Sequence, residues 1–372
     1  MLLSRIDLRI VPIILCLMAI SLSVISSMTA DVTFNENTSF WTPFVKAQLR
    51  WFFLGWVVFL GASAFDYRRL RQWSLFFYLA VILLLVGLFF FDPVQNVHRW
   101  YRFPFLPSIQ PSEPAKLVVI MGLSWFLERK GSQIGTLSTA LQMIAIAGIP
   151  FILILKQPDL GTALVLYPIV LVLGYVAGVH KGVLRAGIVC GLIALLIVAL
   201  FFLEIIPHEK MRSFFTLFMK DYQYERLNPH TYHQTAAQIA IALGGWTGMG
   251  WQGSEFAAHK WLPFAHTDSV FAAYGEEFGF LGIVFLLFLF YALIYFSFQV
   301  AVVAKDLFGR LLAAGLSAYL AMHVLVNTAM MCALLPIAGV PLVLVTYGGG
   351  SILTTMAALG LLQNIYSRRF MF

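Results

Sequence analysis

Apolar runs long enough to cross a hydrocarbon core of about 30 Å recur roughly ten times along this chain, and no other property narrows its fold so far. They centre on residues 8–28, 47–65, 73–91, 113–128, 137–155, 162–178, 183–206, 269–299, 311–334 and 343–366. Backbone amides inside a bilayer find no water, so each run must satisfy its own hydrogen bonds and reads as a helix. The expected fold is an all-α polytopic membrane protein of about ten transmembrane helices, with one long outer loop between spans seven and eight. Composition agrees, since 60% of the 372 residues are hydrophobic and only 11% are charged. That balance excludes an ordinary soluble globule, and polar low-complexity tracts that would signal disorder are absent. The first run, from about Ile10 to Met28, is too long for the apolar part of a signal peptide and reads as a retained span. The eighth is long enough to be bent or tilted.

Basic residues orient the bundle. With the N-terminus inside, the inner segments hold Arg5/Arg9, Arg68/Arg69/Arg71, Arg129/Lys130, Lys181/Arg185, Lys305/Arg310 and Arg368/Arg369. Each carries at least two cations, which places both termini on the cytoplasmic side of a multi-pass membrane protein. The net charge of +7 is spent on these short loops and points to no nucleic-acid partner. Cys16, Cys190 and Cys332 lie inside apolar runs, so no disulfide is expected. There is no internal repeat and no soluble domain of useful size. Residues 1–372 read as one membrane domain with an outer loop over about 205–268.

The outer segments carry the chemistry. Asp268 follows His266 and Thr267 at the membrane boundary, and Glu276 and Glu277 lie further along the same run. A carboxylate near the bilayer centre costs about 2.5–3.5 kcal/mol on insertion scales, so three within ten residues need a reason. Asp268 is either a helix cap, as Thr267 could be, or a general base whose pKa is set by burial and nearby cations. Glu276 and Glu277 read as supporting residues, paired with a neighbouring helix. In QPSEPAK at 110–116, Glu113 and Lys116 stand three apart on one helix face. Either the two form a local ion pair, or Lys116 joins Arg99 and Arg102 in holding an anionic group at the outer surface, cations on that side running against the orientation signal. Lys156 is another outward cation, and Asp159 can cap the sixth span. The GGWTGMGWQG stretch lacks the lysine and strand context of a phosphate loop and reads as a turn-rich loop that approaches something closely. His230, His233, His259 and His266 lack zinc-site spacing. Pro336, Gly339 and Pro341 break the helical pattern, so the segment around them is expected to line an outward cavity.

Together these stretches resemble the SEDS family, the polytopic glycan-strand polymerases of the bacterial cell wall. The match runs through His98-Arg99-Trp100, the QPSE of Gln110 to Glu113 with Lys116, QPDLGTA at 157–163, GGWTGMGW at 244–251, LPFAHTD at 262–268, GEEFGFLG at 275–282, and a signature from Val326 to Gly349 that includes Asn327 and Tyr347. The QPDLG form and compact length are closer to the elongation members than to the division members. The resemblance implies a peptidoglycan glycosyltransferase that polymerises lipid II, an undecaprenyl-pyrophosphate-linked disaccharide-pentapeptide, into β-1,4 glycan strands during cell elongation. It makes Asp268 the catalytic residue. Substrate-binding candidates are Arg99, Trp100, Gln110, Glu113, Lys116, Lys156, Asp159, Arg212, His266 and Thr267, with Glu276, Glu277, Asn327 and Tyr347 supporting. Cations such as Arg99, Lys116, Lys156 or Arg212, or a divalent Mg or Mn ion, would stabilise the leaving pyrophosphate; no other cofactor is implied. Expected partners are a class B penicillin-binding protein and other membrane proteins of the elongation complex. The competing readings are a flippase for the same lipid precursor and a scaffold whose activity lies in the partner.

Overall fold

The computed structural model describes residues 7–30, 40–91, 99–102, 108–208, 212, 224–254, 256, 259 and 261–369. Eleven helices occur among them: α1 (Ile10–Thr29), α2 (Pro43–Ala64), α3 (Tyr67–Gly87), α4 (Ser112–Lys130), α5 (Leu137–Lys156), α6 (Leu160–Ala177), α7 (Lys181–Phe202), α8 (Tyr232–Gly244), α9 (Val270–Val303), α10 (Leu307–Met331) and α11 (Gly349–Ser367). Ten coincide with the ten apolar runs. The eleventh, α8, lies within the outer loop between α7 and α9, where no apolar run is long enough to signal a span.

Short polar side chains start several helices by bonding amides that the first turn leaves unpaired. Thr42 accepts from Val45 at α2, Asp66 from Arg68 at α3, Thr136 from Thr139 at α5, Asp159 from Thr162 at α6, and Asp306 from Gly309 at α10. Eight helices are long and apolar enough to cross a membrane by length and composition. The remaining two of the ten, α4 and α11, are more polar because they run through the bundle interior. Lys116 and Ser124 on α4, and Thr355 and Asn364 on α11, are almost wholly buried. At the centre stands α10, packed against α4, α6, α9 and α11. At the other extreme α7 is 6% buried across its apolar window, so its side chains face lipid nearly all round.

The inner loops meet at one end of the bundle. Arg368 pairs with Asp66 (3.3 Å), Arg71 with Glu128 (3.1 Å), and the Arg9 guanidinium lies over the Phe296 ring at 4.6 Å. The outer segments meet at the opposite end, where the Tyr347 amide bonds the His266 carbonyl (3.0 Å) and Arg99 Nε bonds the Gln157 carbonyl (3.0 Å). Loops assigned to one side by charge are therefore neighbours in space.

The bend expected in the eighth run sits at Gly279 of α9, where φ is +64° and ψ −165°. In an unbroken helix the amides of Phe280 and Leu281 would bond the carbonyls of Glu276 and Glu277. Here they donate to Gly245 (2.8 Å) and Trp246 (3.1 Å), while Met249 and Gly250 donate to the freed carbonyls of Glu276 (3.0 Å) and Glu277 (2.9 Å). The glycine-rich loop is thus threaded into the helix ladder, and all four groups stay paired at membrane depth. A Cβ on Gly248 would collide with the Glu277 carbonyl, and one on Gly279 with the Gly248 amide.

Candidate active site

The turn leading into α9 shapes the site. Phe264 adopts a left-handed φ of +53°, and its carbonyl accepts from the amides of Thr267 (2.9 Å) and Ser269 (3.1 Å). Asp268 stands at the end of this turn, one residue before the N-cap of α9. The connector between α10 and α11 supplies the facing wall. Asn327 Nδ2, on α10, donates to the carbonyls of Val340 (2.8 Å) and Asp268 (3.1 Å), so one buried amide ties turn to connector. Gly339 passes so near the carboxylate that a Cβ there would lie 3.5 Å from Asp268 Oδ2.

These parts enclose a cavity of about 400 Å³, lined by Asp268, Arg99, Glu225, Arg226, Thr231, His233, Phe264 and the Ile337–Gly339 segment. Arg99 is fixed by the α5–α6 turn, its Nε donating to the Gln157 carbonyl at 3.0 Å and its Nη2 to that of Pro158. Arg226 Nη1 reaches the Ile337 carbonyl at 3.4 Å. Burial pushes the Asp268 carboxyl above its ordinary range, and the guanidiniums of Arg226 and Arg99 pull it partly back. The result is a carboxylate more basic than a solvated aspartate, beside two fixed cations. Such a group can take a proton from a hydroxyl while the cations hold an anionic group. His233 and His266 are held below the ordinary histidine range by burial.

Other candidates lie around this centre or apart from it. His266 and Thr267 clip the turn to the connector, since the Thr267 carbonyl accepts from Thr346 Oγ1 (3.2 Å) and the His266 ring lies 5.8 Å from Tyr347. Arg212, exposed, pairs with the cavity's Glu225 at 3.5 Å. Trp100 and Arg102 are exposed beside Arg99, and Lys156 is exposed at the end of α5. Gln110 and Ser112 bond the buried Asp159 carboxylate (3.0 and 2.8 Å), which also accepts from Thr162, so Asp159 both caps α6 and joins it to α4.

Lys116 does not line the cavity. It is 1% exposed; its Nζ donates to Glu113 Oε1 (2.7 Å), lies 2.9 Å from His323 Nε2, and sits 5.4 Å over the Tyr319 ring. This is the local pair three residues apart, inside the bundle. Glu276 and Glu277 pair with no cation among the described residues, contrary to the ion pair expected with a neighbouring helix. Glu276 accepts from Ser254 Oγ and the Phe256 amide (3.0 Å), and Glu277 from the Gln252 amide (3.2 Å), so both brace the glycine-rich loop. Sequence reasoning missed Arg226, Glu225, Phe264 and the cavity position of His233. The hints were the charged YERLNPH segment at 224–230 and the place of Phe264 within LPFAHTD at 262–268. No group of three or more His, Cys, Asp or Glu side chains converges among the described residues. Among the described residues the cations lining the cavity are Arg99 and Arg226.

Set beside known proteins, residues 8–370 match the FTSW_RODA_SPOVE family model, described as a cell cycle protein. The chain belongs to this family, the SEDS family. It is 31% identical over 319 residues to the peptidoglycan glycosyltransferase MrdB of Escherichia coli K12, covering 86% of this chain and 84% of that one. In structure it is similar to a chain of a peptidoglycan synthase complex that coordinates polymerization and crosslinking (TM-score 0.75, 26% identity, 99% of each chain). It is also similar to the rod shape determining protein RodA of Thermus thermophilus (TM-score 0.72, 25% identity, 99% of this chain and 98% of that one). The chain is a multi-pass inner-membrane peptidoglycan glycosyltransferase of the elongation type, RodA-like rather than FtsW-like.

Proposed function

We propose that Asp268 is the general base of this glycosyltransferase and that Arg99 and Arg226 hold the diphosphate of its donor. The observation carrying this reading is the placement of one half-buried carboxylate, raised above the ordinary aspartate range, and two guanidiniums on the walls of a single outward cavity. The substrate is lipid II. Asp268 takes the proton of the acceptor sugar's 4-hydroxyl as that oxygen attacks the donor's anomeric carbon. The bond from that carbon to the diphosphate oxygen breaks, the electron pair leaves with undecaprenyl diphosphate, and α configuration inverts to β in one displacement. Diphosphate needs no general acid to leave. It needs its charge stabilised, which is the part of two guanidiniums held on the cavity wall by backbone carbonyls. The apolar flanks of the bundle leave the prenyl chain in lipid while the head group enters the cavity. A class B penicillin-binding protein is the partner that cross-links the product.

The test is glycan synthesis from lipid II by purified protein with its partner. Asp268→Asn and Asp268→Ala give no polymer while expression and folding are kept. Near-normal polymer from either variant sinks Asp268 as base. Translocation of lipid II into vesicles with no polymer from the wild type favours a flippase instead.

A further inference from the structure

His233, the second residue of α8, is fixed in one protonation form by its neighbours. Its Nε2 lies 2.6 Å from Ser269 Oγ, and that hydroxyl's single proton is already donated to the Pro263 carbonyl (2.8 Å). Ser269 Oγ can therefore only accept, so Nε2 carries the proton and Nδ1 is left as a lone-pair acceptor. No bond to Nδ1 occurs among the described residues. Burial disfavours the charged ring, and the N-terminal turn of α8 does the same through its dipole.

Beside it stands Phe264, whose ring centroid lies 5.9 Å from that of His233. Phe264 is 63% exposed, although it lines the cavity and is held in a left-handed backbone conformation that disfavours non-glycine residues. Strain that presents an apolar ring to a polar cavity points to a ligand with an apolar face. Of the other lining side chains, Ile337 and Ala338 are apolar, Thr231 offers one short hydroxyl, and the rest are charged. Arg99 and Arg226 only donate, while Asp268 and Glu225 are carboxylates, Glu225 engaged by Arg212 at 3.5 Å. A neutral nitrogen acceptor next to an aromatic face suits a sugar ring, which offers hydroxyl donors at its rim and C–H groups on its face.

We propose that His233 and Phe264 form the acceptor-sugar subsite: Phe264 packs on the ring face, and His233 Nδ1 accepts a hydrogen bond from a second hydroxyl of the sugar whose attacking hydroxyl Asp268 deprotonates. This rests on the reading of Asp268 as base. The test pairs enzyme and substrate deletions, with lipid II lacking the hydroxyl at carbon 3 or carbon 6 of the attacking sugar and full-length protein with its partner. His233→Leu lowers kcat/KM about tenfold with intact lipid II, the scale of one lost hydrogen bond. One of the two deoxy substrates costs the wild type the same factor and costs His233→Leu nothing further. His233→Gln, whose amide can donate to Ser269 and accept from the sugar, stays within about threefold of wild type. If both deoxy substrates lose equally in wild type and His233→Leu, or His233→Gln is as weak as His233→Leu, the subsite is overturned. Failure of the Asp268 reading shows differently, as polymer made by Asp268→Asn whatever the acceptor.

Discussion

The raised basicity of Asp268 comes from an unfavourable position. A group whose pKa rises on folding is favoured in its protonated form, so the ionised carboxylate lowers stability at neutral pH and that penalty disappears as pH falls. Asp268→Asn removes the charge and keeps the shape. Thermal unfolding in detergent at pH 7 should therefore show a melting temperature equal to or above the wild type's, alongside lost polymerisation; a marked drop would make the residue structural. Arg226 and Arg99 are argued from the leaving group. Removing one stabilising donor at a developing charge typically costs about 10²–10³ in rate. Arg226→Ala and Arg99→Ala should each lose that much kcat/KM with little change in melting temperature, and losses confined to stability would count against the diphosphate reading. At this scale Asp268 was legible, because an acidic residue at a membrane boundary is conspicuous. Arg226 and His233 were not, since they join the cavity only when residues 224–233 fold back over the connector between α10 and α11.

At the scale of elements, the interlock of the glycine-rich loop with α9 holds the outer face together. Gly279 lies in a backbone region open essentially to glycine, where other residues cost about 1–3 kcal/mol before any clash. Gly279→Ala adds a collision with the Gly248 amide, so a lowered melting temperature is expected and an unchanged one would contradict the exchange. The sequence showed that this loop must approach something closely. It could not show what, because the partners are backbone groups and backbone carries no letter. The α4 pair makes the complementary case. Lys116→Met leaves the buried Glu113 uncompensated, a loss of about 3–5 kcal/mol, and adding Glu113→Gln should restore most of the stability lost. Equal melting temperatures for single and double variants would show that the two charges are not coupled. Their spacing of three residues was the signal for this pairing. Linear proximity to Arg99 and Arg102 pointed the other way, and only the rotation of α4 into the bundle decides between them.

Across the whole molecule, the division between lipid-facing and protein-facing helices follows from apolar length and polarity. The ten runs appeared as ten helices because lipid enforces backbone pairing within each run. The short α8 escaped notice because its 13 residues are too few to cross a bilayer and resemble any short apolar stretch. What the bundle achieves is to raise one carboxylate and two guanidiniums to the outer face at fixed spacing, with lipid at the flank for the prenyl chain. The most direct test is the pH dependence of kcat/KM for lipid II, measured on wild type and Arg226→Gln with the partner present. The base must be ionised, so the rate should fall about tenfold per pH unit below the Asp268 pKa. That acid limb should lie above the ordinary aspartate range of about 3.9. Because the Arg226 guanidinium pulls the pKa down, Arg226→Gln should move the limb to higher pH. A rate independent of pH down to the ordinary aspartate range, or a limb that stays in place when Arg226 is neutralised, would contradict Asp268 as the base.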